Sequence, residues 1–105
     1  RARPFYHLRY ENAPNLTKSF DLLWTGLELT TGAQREHRYD ILVKQAKEKK
    51  MDLKTLEFYL NFFKYGCPPH GGLGAGPNRM LMQLLGLENI RDASFIYRGV
   101  KRLEP

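Results

Sequence analysis

The sequence predicts an α+β fold, a largely antiparallel sheet flanked by helices. Two β-rich runs meet at Gly26, two amphipathic helical stretches follow, and a glycine-alternating strand then feeds a last apolar helix. At 105 residues the chain is at most one domain, and 27% charged with 42% hydrophobic residues is ordinary for a globular one. No apolar run approaches membrane-spanning length, and nothing at the start reads as a signal peptide. The lone cysteine, Cys67, excludes an internal disulfide and fits a reducing, cytoplasmic setting. A formal charge of +6 favours an anionic partner, nucleic acid ahead of membrane, although solubility or counter-charge for further chain explains it as well. Arg1 is not a methionine, so the chain reads as a piece of a longer one.

Arg1 to Tyr10 is aromatic and strand-like, with Pro4 marking an edge or a beginning. Glu11 to Thr17 has the composition of a turn-rich loop. Strands are expected at Ser19–Thr25 and Leu27–Thr31. Phe20, Leu22 and Trp24 share one face of the first, and Leu27 and Leu29 alternate with Glu28 and Thr30 in the second. Asp21 and Glu28 then project from the middle of apolar strands, where a carboxylate needs a cation or a metal. Paired oxygen ligands beside a nucleotide suit Mg²⁺; an exposed sheet face or two salt bridges would account for them equally. Arg35 has a fork shaped for a carboxylate, either a small-molecule acid or Glu28 or Asp40. His37, in a polar stretch, reads as a structural hydrogen-bonding residue.

Tyr39, Leu42, Val43 and Ala46 recur at helical spacing, predicting a helix over Tyr39–Lys50 with its lysines solvated. Asp52 caps a second helix whose apolar face is Leu53, Leu56, Tyr59, Leu60 and Phe63. Lys64 to Gly86 then holds six of the nine glycines. Pro68 and Pro69 force a turn. Glycine alternates with Leu73 and Ala75 from Gly72 to Gly76, a strand with one bare face open to a flat ligand. Pro77 opens a helix with Arg79 in its first turn, and Met80, Leu81, Met82, Leu84 and Leu85 make that helix a buried one, to about Leu87. A nucleotide fits this arrangement, base on the bare backbone and phosphate near the guanidinium; a tight strand-to-helix turn with a surface arginine is the plainer alternative.

Gly72-Leu73-Gly74-Ala75-Gly76-Pro77-Asn78-Arg79 resembles motif 3 of class II aminoacyl-tRNA synthetases. Tyr65-Gly66-Cys67-Pro68-Pro69-His70-Gly71-Gly72, Arg3-Pro4-Phe5-Tyr6, Asn89 to Ala93 and Arg102 to Pro105 are similar to the archaeal-type aspartyl subgroup. The likeness runs nearly the whole chain, making residues 1–105 the C-terminal half of a class II catalytic domain, with motif 3 at 72–85.

The resemblance implies an aspartate–tRNA ligase that activates aspartate with ATP and passes it to tRNA. By that resemblance Glu28 and Arg79 are the catalytic pair, and Glu28, Gly76, Pro77, Asn78 and Arg79 bind ATP, with Arg79 on the γ-phosphate. Thr31 and Arg35 hold the aspartate, and Asp21, Glu28 and Thr31 surround Mg²⁺. ATP, L-aspartate and tRNA are the implied partners, with no membrane, and a homodimer through a more N-terminal part. The anticodon-binding barrel, the dimer helix and the motif 2 arginine are absent, so this piece alone is not expected to aminoacylate. Asn78 replaces a glutamate, Pro77 a larger apolar residue, Lys50 a helix-ending glycine, Thr25 a frequent arginine and Thr31 a serine; Ile96-Tyr97-Arg98-Gly99 also departs from the pattern. These departures also admit a synthetase-like paralogue without tRNA charging, asparagine synthetase-like or a binding module. An α+β domain binding RNA by charge alone is a further reading.

Overall fold

The computed structural model describes residues 3–104. Five strands and three helices follow one another as β1 Arg9–Tyr10, β2 Ala13–Thr17, β3 Ser19–Trp24, β4 Leu27–Arg35, α1 Tyr39–Glu48, α2 Leu53–Lys64, β5 His70–Ala75 and α3 Pro77–Leu85, with a short 3₁₀ turn at Ile90–Ala93. β1 and β2 form an antiparallel ribbon, and a second sheet has the order β3-β4-β5. The chain divides into two compact units, residues 1–20 with 32–73 and residues 21–31 with 74–105.

The first unit holds the hydrophobic core. Phe5, Leu42, Ala46, Leu60 and Phe63 are buried together, and Tyr6, Tyr39, Val43, Leu53, Leu56, Tyr59 and Cys67 pack on them. The helical periodicities thus deliver the faces they predict. α2 starts as expected, the Asp52 carboxylate accepting from the Lys54 N–H at 2.9 Å. α1 ends in a Schellman turn: the Met51 N–H reaches the Ala46 carbonyl at 3.1 Å and the Lys50 N–H that of Lys47 at 2.9 Å. The left-handed position falls on Lys50, at φ +56°, where a glycine would be unstrained.

Three expectations for this unit need correction. Of the described residues up to Tyr10, only Arg9–Tyr10 form a strand; Arg1 and Ala2 lie outside the described residues. Ala13–Thr17 is a strand rather than a loop, because Arg9 pairs with Thr17 and Tyr10 with Ala13 on a ribbon that tolerates Pro14. β4 does not stop at Thr31 but runs to Arg35. Gly32 carries it through: a Cβ there would meet the Phe20 ring at 2.5 Å, so glycine keeps the strand and its neighbour compatible.

In the second unit, β3 and β4 are joined through Thr25 and Gly26, both at positive φ (46° and 83°), as a two-residue hairpin of type I′ requires. α3 takes Pro77 in its first turn and ends on Gly86 at φ +64°, where the Leu87 N–H bonds the Met82 carbonyl at 2.9 Å. This is the same turn that closes α1, with glycine in the left-handed place. Two expectations fail here. α3 contains no buried residue, and Leu84 and Leu85 are 67% and 63% exposed. β3 is exposed from Phe20 to Trp24, so Asp21 sits on an open strand rather than among buried apolar neighbours. An apolar run states what a helix or strand would bury, not whether a partner is present to cover it.

Candidate functional site

In the second unit, the last glycine of the β5 run ties strand to helix. The Gly76 N–H donates to the Leu29 carbonyl at 2.9 Å, and the Gly76 carbonyl accepts from the Met80 N–H at 3.1 Å. A Cβ on Gly76 would lie 3.3 Å from both the Leu29 carbonyl oxygen and Arg79 Cδ, so the close passage of β4, β5 and the arginine stem depends on glycine. Gly72 and Gly74 differ, since a Cβ on either would meet nothing within 4 Å. That is the bare strand face the alternation predicts.

Arg79, one and a half turns from that strand's end at most, folds back onto β4. Its Nη1 donates to the Glu28 carbonyl at 2.5 Å and lies 3.9 Å from Glu28 Oε1. Both side chains stay accessible, at 44% and 37%. The backbone bond fixes the arginine stem, while the longer approach to the carboxylate leaves charge of both signs available to a ligand. Between the two hairpin strands, the Thr31 hydroxyl donates to Asp21 Oδ1 at 2.6 Å. Asn78 Nδ2 donates to Ser94 Oγ and fastens α3 to the segment after the 3₁₀ turn. Thr25 Oγ1 reaches Gln83 Oε1 at 2.8 Å, joining the hairpin tip to α3.

In the first unit, Arg35 closes β4 with its guanidinium 4.9 Å above the Tyr6 ring. Neither Asp40 nor any other carboxylate forms an ion pair with it among the described residues, which removes the salt-bridge alternative. Next to it is a buried ion pair that the sequence reading passed over. Glu36 is 1% exposed, and its carboxylate takes Arg38 Nε at 2.8 Å and Nη2 at 2.9 Å in a two-pronged contact. It also accepts the N–H groups of His37 at 3.1 Å and Arg38 at 3.0 Å. Burial pushes this carboxyl up, but the Arg38 guanidinium and those backbone bonds outweigh it and hold the group below its ordinary value. His37 serves Glu36 through its backbone N–H, while its buried Nδ1 lies 3.9 Å from the carboxylate and takes no hydrogen-bond partner. The Glu-x-Arg spacing at 36–38 was the available signal, hidden in a polar run that resembled a loop.

The family model described as tRNA synthetases class II (D, K and N) matches residues 1–97. The chain belongs to that family. The aspartate–tRNA(Asp/Asn) ligase of Aeropyrum pernix is 50% identical over 105 residues, all of this chain and 24% of the relative. The aspartyl tRNA synthetase of Entamoeba histolytica superposes with a TM-score of 0.88 at 41% identity, covering 98% of this chain and 21% of that one. The asparaginyl-tRNA synthetase of the same organism, in complex with asparaginyl-adenylate, gives 0.85 at 36% identity over 98% of this chain and 24% of its own. The chain thus spans about a quarter of the length of the curated relatives it matches.

The antiparallel sheets and three helices are those of class II synthetase catalytic-domain neighbours, as the fold reading expects. No helix among the described residues is long and apolar enough to cross a membrane. Nor do three His, Cys, Asp or Glu side chains gather among them into a protein-only metal cage. Carboxylates and a hydroxyl are the donor types a hard cation takes when phosphate oxygens and water complete its shell; here Thr31 and Asp21 are hydrogen-bonded to each other, while the Glu28 carboxylate lies near Arg79.

Proposed function

We propose that this chain is the C-terminal catalytic segment of an aspartate–tRNA ligase, residues 1–105 being part of the class II catalytic domain. The observation that carries the reading is Arg79: it leaves the first turn of α3 directly after a glycine-floored strand, and its stem is anchored to the Glu28 carbonyl. That places a fixed guanidinium beside a bare backbone face, which is what a purine nucleotide with a polyphosphate tail requires. Class II synthetases in general depend on ATP and Mg²⁺.

In this reading the aspartate α-carboxylate oxygen attacks the α-phosphorus of ATP, pyrophosphate leaves, and aspartyl-adenylate forms. A tRNA 3′-terminal hydroxyl then attacks the activated carbonyl and AMP departs. Arg79 takes the γ-phosphate, and its charge offsets that of the leaving pyrophosphate. Gly76 and Pro77 shape the strand-to-helix passage against which ATP lies, and Asn78 keeps the helix start in place through Ser94. Glu28, Asp21 and Thr31 would hold Mg²⁺, which when bound supplies charge neutralisation at the phosphates. Arg35, which pairs with no carboxylate among the described residues, receives the substrate's side-chain carboxylate, and the Thr31 hydroxyl assists. No nucleophile or general base from this chain is needed. The tRNA and a second subunit are met by the rest of the parent.

The test is ATP–pyrophosphate exchange by the full-length protein, with aspartate and asparagine supplied separately, in wild type and Arg35→Ala. Exchange with aspartate that disappears in the variant is the expected result. A folded protein that exchanges with neither amino acid would leave the paralogue reading standing, motivated by Asn78 and Gly99.

A further inference from the structure

Tyr59 sits on the core face of α2. Its ring meets Phe5 edge-on at 5.9 Å and tilts against Phe63 at 4.9 Å. Its hydroxyl oxygen is buried and makes no well-aligned hydrogen bond. Such a hydroxyl weakens a fold, and a phenylalanine would fill the same space without the penalty. The cation beside it is Arg35, whose charge works against the rise that burial imposes on the Tyr59 phenol. Arg35 itself lies over the Tyr6 ring, and Tyr6 meets Phe5 edge-on at 5.5 Å, so Phe5 braces both tyrosines.

A guanidinium presents five N–H donors in a rigid plane. A carboxylate bound fork-to-fork takes two of them. The Tyr6 face holds the plane from one side but accepts none of the donors in that plane. An oxygen at the edge turned away from the ligand is what remains to set the rotation of the fork, and Tyr59 carries the buried oxygen next to Arg35. We propose that the Tyr59 hydroxyl is a positioning group for Arg35, its oxygen accepting an N–H of the guanidinium as a ligand carboxylate draws the fork into line. The proposal rests on the aspartate-binding reading of Arg35 and adds the part of the protein that orients it. Tyr59 touches neither substrate nor phosphate.

The experiment is ATP–pyrophosphate exchange with the full-length protein as wild type, Tyr59→Phe and Tyr59→Leu, alongside thermal melts. Tyr59→Phe is expected to raise KM for aspartate about 10-fold, the loss of a hydrogen bond to a charged group, with KM for ATP unchanged and Tm no lower, since the unsatisfied hydroxyl is gone. Tyr59→Leu, which also removes the ring from Phe5 and Phe63, is expected to lower Tm besides. A Tyr59→Phe enzyme with wild-type KM for aspartate overturns the proposal. So does one in which both KM values and Tm move together, since that marks a merely structural hydroxyl. Absence of exchange in the wild type overturns the aspartate reading and this proposal with it, so the wild-type measurement separates the two failures.

Discussion

The two units of this chain are built on different principles. Residues 1–20 and 32–73 bury Phe5, Leu42, Ala46, Leu60 and Phe63 around a helix pair. Residues 21–31 and 74–105 bury only Leu29 and Thr30 among the described residues, and expose Leu22, Leu23, Leu84, Leu85 and Phe95. What the second unit has instead is specific polar bonding: Thr31 to Asp21, Thr25 to Gln83, Asn78 to Ser94 and Arg79 to the Glu28 carbonyl. Burial supplies most of a fold's stability, whereas side-chain hydrogen bonds supply geometry at a smaller net gain each. The first unit therefore carries the stability and the second the candidate phosphate chemistry.

The contrast breaks most visibly, or fails to, at one leucine from each unit. Leu42 is 0% exposed, so Leu42→Ala should destabilise the chain by about 2–5 kcal/mol in denaturant titrations. Leu84→Ala, at an exposed helical position, should stay within about 0.5 kcal/mol. Equal losses at the two sites would mean that the second unit owns a core after all.

A smaller effect is expected at Glu36. Glu36→Gln weakens a buried two-pronged contact and should lower stability by about 1–3 kcal/mol near neutral pH. The carboxyl is held below its ordinary 4.5, so its contribution is present above that value and is lost as pH falls through the lowered folded-state value. Wild type and variant should converge in acid, which unfolding curves at descending pH would show; a gap constant with pH would rule out the ion pair as its source.

The smallest effect is a gain. Lys50 and Gly86 occupy the same left-handed position in matching helix ends, one in each unit. Lys50→Gly should stabilise by about 1 kcal/mol, the strain of a side chain there. A neutral or harmful result in thermal melts would show that the lysine is held by something other than the turn.

How much of this was legible depended on whether the deciding partner lay nearby in sequence. Leu42, Ala46, Leu60 and Phe63 announce their faces through spacing alone, and Asp52 its cap, because both are local patterns. β2 was not legible, since Pro14 and Asn15 have loop composition and only pairing with Arg9 and Tyr10 makes the segment a strand. Gly32 looked like a terminator because the Phe20 ring that demands glycine lies twelve residues earlier. At the site, the types at Asp21, Glu28, Thr31, Arg35 and Arg79 were readable through the resemblance. The Thr31–Asp21 bond and the Arg79 anchor on a backbone oxygen were not, because each rests on a contact that no residue pattern encodes, and the burial of Glu36 was hidden although its Glu-x-Arg spacing was in view.

The glycines in and directly after β5 have a consequence for genetics. Added bulk at Gly71 would strike the Ala33 carbonyl oxygen at 2.9 Å, and at Gly76 it would crowd both strand and arginine, so missense alleles there act on folding and function together. Gly72 and Gly74 stand apart, with open space where a side chain would be. An alanine allele at Gly74 would pass every assay of expression and melting, and whatever rests on that strand would be the only thing to notice it.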